Sequence, residues 1–206
     1  MSKKIIITFE GIEGSGKTFH IKNISSHLKK KKISHLIIRE PGGSKNSEKI
    51  RKLILNNNSN FNNKTDLLLY LASRSENIEK LIKENNKIKI ILIDRFVDST
   101  IAYQHYGMGL DLKIINLINK FLLKNLKISC TFLHHVSIKN LKKRLSKRRI
   151  LNRYDNFKPS FYKKVQNGYY NIAKRNKKSF IFIDSNKSIK NNKLIIENKI
   201  NKILKI

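Results

Sequence analysis

The sequence predicts an α/β fold in which a five-stranded parallel sheet carries helices on both faces. Five short runs rich in Ile and Phe alternate with helix-length segments along the 206 residues. Unbroken apolar runs of this length are typical of parallel strands that are buried on both faces. A glycine-rich sequence follows the first run and precedes a helix-like segment, which is the context of a phosphate-binding P-loop. Together these observations predict a P-loop protein built from alternating β and α elements.

The predicted strands and helices alternate regularly. Strands are predicted at 5–9, 34–38, 89–93, 129–136 and 179–183. Apolar residues at helical spacing predict helices over 19–30, 66–83, 111–126 and 160–174. The tail after Asp184 predicts one last amphipathic helix. Its candidate core contacts are Ile189, Leu194, Ile195, Ile200 and Leu204.

The composition favours one soluble domain over residues 1–206. No apolar run approaches the roughly 18 residues that a membrane-spanning helix needs. A formal charge of +31 raises the alternative of nucleic-acid binding. The lysines are scattered along the whole chain, however, and the bias toward Lys, Asn and Ile matches codons rich in A and T. Cys130 is the one cysteine, which excludes an internal disulfide and favours a reducing, cytoplasmic location.

A complete phosphate-binding motif, G-x-x-x-x-G-K-T, lies between the first strand and the first helix. Its residues are Gly11, Ile12, Glu13, Gly14, Ser15, Gly16, Lys17 and Thr18. Glycines let backbone N–H groups turn toward phosphate oxygens, and the following helix adds its positive N-terminal end. We expect Lys17 to reach the β- and γ-phosphates of ATP, and Thr18 to hold Mg²⁺. Small GTPases, transport ATPases and nucleotide kinases share this motif, so the remaining sequence must identify the acceptor.

Further motifs accompany the P-loop in a fixed order. They are Phe9-Glu10-Gly11, Arg39-Glu40-Pro41-Gly42-Gly43, the segment LLLYLASR at 67–74, Asp94-Arg95-Phe96, Ser99, Ala102-Tyr103-Gln104 and an arginine-rich stretch at 144–153. In order and spacing, residues 5–184 resemble the bacterial thymidylate kinase family. The resemblance implies a P-loop kinase fold with an Arg-rich lid, phosphorylation of dTMP by ATP with Mg²⁺, and a homodimer.

The sequence departs from the family pattern at five positions. Ser44 replaces Thr after the Gly pair, Arg149 occupies a position that is usually Gly, and Asn152 replaces an Asp. His134 and His135 stand where the family has Leu-Asp at the end of the fourth strand. Adjacent strand residues point to opposite faces of a sheet. We therefore interpret the two histidines as structural residues and not as metal ligands.

The resemblance places the acceptor phosphate and sugar against residues from several elements. Arg95, at the C-terminal end of a central strand, would grip the monophosphate, and Asp94 would either orient Mg²⁺ through water or hold Arg95. A carboxylate repels phosphate, so Glu13 is expected to point away from the donor. By resemblance it faces the 3′-hydroxyl of the acceptor sugar. Arg39 and Ser99 complete this part of the substrate-binding set.

Two residues on one predicted helix are candidates for binding the acceptor base. Tyr70 and Arg74 lie one turn apart and share a face. An aromatic ring can stack on a base while a guanidinium donates to thymine O4, where cytosine carries an amino group instead. A core position for Tyr70 is the alternative. By resemblance, Tyr103 and Gln104 complete the pocket, and Tyr103 crowds a ribose 2′-hydroxyl, which favours deoxynucleotides.

The predicted lid covers about residues 144–155. It contains Arg144, Arg148, Arg149 and Arg153. Helical spacing places Arg144 and Arg148 on one face. The P-loop carries Gly14 where some relatives have a basic residue, so we expect a lid arginine to supply the missing cation. Arg148 is the first candidate, and its neighbour Arg149 is the residue that would share the task. The alternative is that this basic run is only a solvated helix.

Two other functions remain as alternatives. Another nucleotide or deoxynucleoside kinase would use the same P-loop with a different acceptor. A non-catalytic protein that binds nucleotides or nucleic acid would not need Lys17, Thr18 and Arg95 together.

Overall fold

Five β-strands form the centre of the structure, a computed structural model that describes residues 4–83, 88–124 and 126–206 except the side chains at 80, 81 and 83. The strands are β1 (Ile5–Glu10), β2 (His35–Arg39), β3 (Ile90–Asp94), β4 (Ile128–His135) and β5 (Phe180–Asp184). They form one parallel sheet in the order β2-β3-β1-β4-β5. This confirms the predicted sheet, and each predicted strand end lies within one residue of the observed one.

Helices connect the strands. The described α-helices are α1 (Lys17–Lys30), α2 (Lys45–Leu55), α3 (Asn63–Asn77), α4 (Val97–Thr100), α5 (Leu112–Leu123), α6 (Ile138–Leu145), α7 (Pro159–Arg175) and α8 (Ile189–Leu204). α3 and α4 continue as the π-helical segments Ile78–Lys83 and Ile101–Gly107. The predicted helix 111–126 ends at Leu123, and residue 125 lies outside the described residues. Over the described ranges, no helix is both long enough and apolar enough to cross a bilayer.

The sheet is covered on both faces because successive strand residues point in opposite directions. On one face, Ile7 of β1 packs in a buried cluster with Ile24 of α1 and Ile196 of α8. On the other face, Ile6 packs in a cluster with Phe96. The carboxyl ends of parallel strands meet at one edge of the sheet, and this is where open α/β sheets bind their ligands.

The last helix, α8, buries a different face from the predicted one. Ile200 is buried as predicted, but Ile189, Leu194 and Ile195 are each about half exposed, so the prediction was wrong for these three. The buried face runs instead through Asn192, Ile196 and Ile200 at a spacing of four residues. Asn192 occupies this face because its side-chain amide donates to the backbone oxygen of Asp184 at 2.8 Å. A pattern of apolar residues alone does not reveal a polar residue that is buried through a backbone hydrogen bond.

The two histidines that end β4 lie on opposite faces of the sheet, as predicted. His134 is buried and stacks between Phe9 and His20, with ring centroids 6.1 and 5.4 Å away. Burial lowers the pKa of His134 well below its usual value and so favours the neutral ring. His135 instead shares a hydrogen bond of 2.7 Å with the hydroxyl of Tyr170. These contacts give both residues packing roles.

Candidate active site

A cavity of about 580 Å³ opens at the carboxyl edge of the sheet. The P-loop forms one wall because it directly follows β1. Asp94 and Arg95 form an adjacent wall because β3 pairs with β1, with Phe9 opposite Asp94. The cavity brings together most of the predicted site residues. They are Glu13, Gly14, Ser15, Gly16, Lys17, Thr18, Arg39, Tyr70, Arg74, Asp94, Arg95, Ser99, Tyr103, Gln104, Arg144 and Arg148.

The P-loop turns tightly enough to aim the start of α1 into the cavity. Gly11 has a φ of 134°, and a Cβ atom built there would lie 2.3 Å from the carbonyl oxygen of His134. Only glycine fits such a close approach between two backbones. Gly16 has a φ of 87° and precedes Lys17, the first residue of α1. The positive end of the helix therefore lines the cavity and can attract an anion.

Lys17 is held by the P-loop itself. Its ammonium donates to the backbone oxygens of Gly11 and Ile12, each at 2.9 Å, and lies 3.4 Å from the hydroxyl of Ser15. Burial lowers the pKa of Lys17 to about 8, and the nearby Arg95 guanidinium adds to this effect. A phosphate group would stabilise the charged form. Gly11 and Ile12 do not line the cavity, and they contribute here through their carbonyl groups.

Thr18 and Asp94 form an oxygen pair at the mouth of the P-loop. The Thr18 hydroxyl donates to Asp94 Oδ2 at 2.7 Å. Mg²⁺ prefers such hard oxygen ligands, and it commonly binds one or two carboxylates together with substrate phosphates. The pair therefore fits the predicted Mg²⁺ site. The alternative was that Asp94 and Arg95 simply pair with each other. In the structure, the Arg95 guanidinium pairs with a different carboxylate.

That carboxylate belongs to Glu13, which is bound by Arg95 and Tyr103. Arg95 Nη2 lies 2.8 Å from Glu13 Oε1, and the Tyr103 hydroxyl donates to Glu13 Oε2 at 2.5 Å. Arg95 also donates to the backbone oxygen of Gly11 at 2.9 Å and lies over the Tyr103 ring at 5.1 Å. Its φ of 67° is unusual for a residue with a side chain. Residues held in such strained conformations cluster at functional sites.

Glu10 supports the wall of the cavity, although the sequence reasoning did not assign it a role. It is fully buried and accepts hydrogen bonds from the backbone of Phe96 at 2.7 Å and from the hydroxyl of Ser99 at 2.5 Å. Burial raises its pKa. Glu10 thereby fastens the segment after Arg95 to the start of the P-loop. An acidic residue at the end of an apolar strand is the signal that could have identified it.

The predicted base-binding residues lie on one side of the cavity. Tyr70 is half-buried and its ring packs edge-on against Tyr154, with centroids 5.8 Å apart. Gln104 is almost fully buried, and among the described residues its Nε2 atom has no hydrogen-bond partner. A buried donor without a partner is costly, and a ligand carbonyl can satisfy it. Tyr154 also lines the cavity, although the sequence analysis did not predict this.

Arg74 has more protein partners than a residue devoted to substrate would have. Its side chain is 1% exposed, and it pairs with Glu40 at 2.8 Å. Its Nη1 and Nη2 atoms donate to Asn119 at 2.7 Å and to Thr100 at 2.9 Å. Arg74 still lines the cavity, so its contact with the base stays a prediction. The structure gives it an additional role as the centre of a buried polar network.

Two more arginines line the cavity. Arg39 is largely exposed and pairs with Glu48 at 2.9 Å. Arg51 was not predicted, yet it lines the cavity and donates to the backbone oxygen of Pro41 at 2.5 Å. The signal for Arg51 was its arginine identity in a chain where only nine of the 45 basic residues are arginine.

The lid arginines separate into two groups. Arg144 donates to the backbone oxygens of Gly14 and Ser185, both at 2.6 Å, and Arg148 donates to Asp155 at 2.5 Å. Both line the cavity. They do not share a helix face, however, because α6 ends at Leu145 and Arg148 follows after a two-residue turn. Their common orientation comes from the fold of the chain and not from helical spacing.

The other two predicted lid arginines do not line this cavity. Arg149 is exposed, and Arg153 pairs with Asp66 at 2.5 Å. Arg153 lines a separate cleft of about 510 Å³ between α3 and α7. Arg149 and Arg153 therefore stay predicted lid residues that do not contribute to the lining of this cavity. The buried carboxylate of Asp66, in the first turn of α3, is the competing partner of Arg153.

The cavity is also lined by residues that the sequence analysis did not assign to the site. They are Phe19, His20, Ser185, Ile189 and Asn192. Ile189 was expected in the core but is exposed and lines the cavity, in keeping with the different face that α8 buries. These residues come from chain segments far apart, so no local motif marks them as neighbours.

Comparisons with known proteins agree with this geometry. A family model described as thymidylate kinase matches residues 9–196. Thymidylate kinase of Acholeplasma laidlawii is 40% identical over 188 residues, covering 90% of this chain and 92% of the relative, and that of Kosmotoga olearia is 34% identical over 186 residues, covering 90% and 89%. A crystal structure of thymidylate kinase from Ehrlichia chaffeensis superimposes with a TM-score of 0.72 at 32% identity, covering 88% of this chain and 93% of that one. The chain belongs to the thymidylate kinase family.

Proposed function

We propose that the cavity binds ATP and dTMP together and holds them for transfer of the γ-phosphate, which yields dTDP and ADP. Phosphorylation of dTMP, a step in dTTP synthesis, is the activity of the family to which the chain belongs. The observation that supports the proposed arrangement best is the division of one cavity between two sets of anion-binding groups. Lys17 and the start of α1 form the first set, and Arg95, held by Glu13, forms the second.

The P-loop residues 11–18 would bind the donor. Backbone N–H groups and the N-terminus of α1 would contact the phosphates, and Lys17 would exchange its carbonyl partners for the β- and γ-phosphates. Thr18 and Asp94 would hold Mg²⁺, which neutralises charge on the phosphates. Catalysis of phosphoryl transfer depends on positioning and charge stabilisation, and both are supplied by groups that already line the cavity.

The acceptor would lie against Arg95, Glu13 and Tyr103. Arg95 has the planar, fork-shaped donor set that suits a phosphate, and Glu13 with Tyr103 holds it in place. Glu13 is then available to the 3′-hydroxyl of the sugar. The Ser99 hydroxyl would stabilise the same wall of the cavity because it donates to the carboxylate of Glu10. Arg39, at the exposed edge, would add a cation to the acceptor phosphate.

The thymine base would lie between Tyr70 and Gln104. Tyr70 offers an aromatic face, and the unpartnered Nε2 of Gln104 offers a donor to a base carbonyl. Arg74 would donate a hydrogen bond to thymine O4 while it keeps its contacts with the buried polar network. Tyr103 would exclude a ribose 2′-hydroxyl, which favours dTMP over ribonucleotides.

The lid would cover the donor and acceptor during the reaction. Arg148 lines the cavity and would supply the cation that the P-loop lacks at Gly14. Arg144 would stabilise the P-loop because it donates to the backbone oxygen of Gly14. Closure of a lid of this kind excludes water, which would otherwise accept the phosphate.

The whole chain, residues 1–206, would act as one kinase domain and assemble as a homodimer in the cytoplasm. α3 and α5 pack together through a buried apolar cluster. Their outer faces carry large apolar side chains that are more than half exposed, namely Leu68, Ile114, Leu117 and Phe121. Apolar patches of this kind mark interaction surfaces.

A panel of acceptors tests the proposal. ADP release from ATP would be measured with dTMP, dUMP, dCMP, dGMP and free thymidine, each with and without Mg²⁺. We expect dTMP to give the highest kcat/KM, thymidine to give none, and all turnover to require Mg²⁺. A preference for another acceptor would identify a different nucleotide kinase. DNA affinity that falls with salt, without turnover of any acceptor, would favour the nucleic-acid-binding alternative.

A further inference from the structure

Arg148 forms an ion pair with a buried carboxylate that does not line the cavity. Its Nη1 atom lies 2.5 Å from Oδ1 of Asp155, whose side chain is fully buried. Arg148, Asn152 and Tyr154 line the nucleotide cavity, whereas Asp155 does not. Asp155 therefore binds one nitrogen of the guanidinium on the side away from the cavity. The remaining donors of the planar fork are left to face a phosphate group.

The carboxylate of Asp155 is itself fixed by its neighbours in the chain. Its second oxygen, Oδ2, accepts hydrogen bonds from the backbone and the side chain of Asn152, at 3.1 and 2.6 Å. The side-chain oxygen of Asn152 in turn caps the short helical turn Arg153–Asn156. This reciprocal arrangement is a capping box, which fixes both side chains. Arg148 thus binds a rigid partner although it lies in an irregular lid segment.

The turn that carries Asp155 is anchored to the wall that contacts the acceptor base. Asp66, in the first turn of α3, pairs with Arg153 at 2.5 Å and accepts from the Tyr154 hydroxyl at 3.3 Å. One turn further along α3, Tyr70 packs against the Tyr154 ring. These contacts tie Asp155 to the acceptor side of the cavity, and Asp155 in turn sets the position of Arg148.

We infer that Asp155 is a positioning residue that sets the guanidinium of Arg148 at the phosphate-transfer point. It acts through Arg148 and makes no contact with substrate. The inference rests on the proposed catalytic role of Arg148. A catalytic group displaced by about 1 Å can lose on the order of 100-fold in rate, so the effect of losing this anchor is measurable.

The test is a double-mutant cycle between Asp155→Asn and Arg148→Ala. Asparagine has nearly the shape of aspartate, but it is uncharged and has only one side-chain oxygen. It therefore cannot accept hydrogen bonds from Arg148 and Asn152 through two carboxylate oxygens. We expect Asp155→Asn to lower kcat by about tenfold or more, with the KM for dTMP and the dissociation constant for ATP within about twofold of wild type. In the Arg148→Ala background, the same substitution should change kcat by less than about twofold. Asp155→Glu keeps the charge and should recover part of the loss.

Asp111→Asn is the matched control. Asp111 caps α5 through a side-chain oxygen on the outer surface, and it lines neither cavity. Neutralising it should leave kcat unchanged, because asparagine caps helices as well as aspartate does. Thermal melting of each variant reports any general loss of stability separately from kcat.

The outcomes separate this inference from the function on which it rests. If kcat falls in Arg148→Ala but not in Asp155→Asn, the positioning role is overturned while the role of Arg148 stands. If neither substitution lowers kcat, Arg148 does not act in the transfer step, and both ideas are wrong. An equal loss from Asp155→Asn in both backgrounds would assign Asp155 a purely structural role. A rise in kcat would show that Asp155 sequesters Arg148.

Discussion

In the protein without nucleotide, Lys17 gives its donors to backbone carbonyls of the P-loop and not to a second ionised group. Burial lowers its pKa to about 8, so a growing fraction of the protein has an uncharged Lys17 as the pH rises above 8. Phosphate groups favour the charged ammonium because they carry the opposite charge. Nucleotide binding above this pH must therefore take up a proton at Lys17.

We predict that the affinity for ATP, measured without acceptor, falls as the pH rises from 8 to 10. The affinity for ATP should fall by at most about tenfold per pH unit, because each unit lowers the population of charged Lys17 by at most that factor. Calorimetry in buffers with different ionisation enthalpies would detect the proton uptake directly. Lys17→Ala should bind weakly with little dependence on pH, and its turnover should fall by several orders of magnitude. A wild-type profile as flat as that of Lys17→Ala would contradict the assignment.

The second residue-scale prediction concerns the buried ion pair of Arg74 with Glu40. Burial raises the pKa of Glu40, and Arg74 is the cation that opposes this effect. Arg74→Ala leaves a buried carboxylate without its partner, so the free energy of unfolding should fall by about 3–5 kcal/mol. Denaturant titration would measure the loss. Arg39→Ala is the matched control, because it breaks an exposed arginine–glutamate pair and should cost less than about 1 kcal/mol.

The same variant tests recognition of the base. If Arg74 also donates to thymine O4, Arg74→Ala should raise the KM for dTMP by far more than the dissociation constant for ATP. A charge-assisted hydrogen bond contributes roughly 1.5–3 kcal/mol, which corresponds to a large and selective change. Equal weakening of both nucleotides would mean that Arg74 is only structural.

At the scale of elements, α8 shows how one helix serves both the core and the site. Ile196 and Ile200 are fully buried against the sheet and α1, whereas Ile195 is 46% exposed. We predict that Ile196→Ala lowers the free energy of unfolding by about 2–5 kcal/mol, because it removes buried methyl groups and leaves a cavity. Ile195→Ala should change it by no more than about 0.5 kcal/mol. Chemical denaturation of both variants would compare them, and equal losses would contradict the observed orientation of α8.

The sequence predicted the elements well and the lid poorly, for a physical reason. The boundaries of β1, the P-loop and α1 follow from local patterns, namely an apolar run, glycines and helical spacing. In the lid, local spacing predicted that Arg144 and Arg148 share a helix face, yet α6 ends between them. The partners of the lid side chains lie far away in the sequence. Asp66 is 87 residues from Arg153 in the sequence, so no local sequence pattern could predict that the two form a pair.

At the scale of the whole molecule, the exposed apolar face of α3 and α5 predicts the assembly. Phe121 is 71% exposed and belongs to the proposed dimer surface, with Leu117 one turn away on α5. We predict that Phe121→Glu yields a monomer in sedimentation experiments, because burying an unpaired carboxylate opposes association. Ile195→Glu introduces the same charge at an exposed position of α8 and should leave the assembly unchanged. A wild-type protein that sediments as a monomer would overturn the proposed homodimer.

The sequence by itself determined the parallel sheet, the P-loop with Lys17 and Thr18, and the placement of Arg95 after β3. These features depend on short-range patterns, since strand burial, glycine conformation and helix capping act between neighbours in the chain. Only the tertiary structure decided which arginines face the cavity, how Glu13 turns toward Arg95, and which face α8 buries. Each of these depends on a contact between distant segments, such as Glu13 with Arg95 across 82 residues. Such a contact forms only where packing of the two layers of helices on the sheet brings the partners within hydrogen-bond distance.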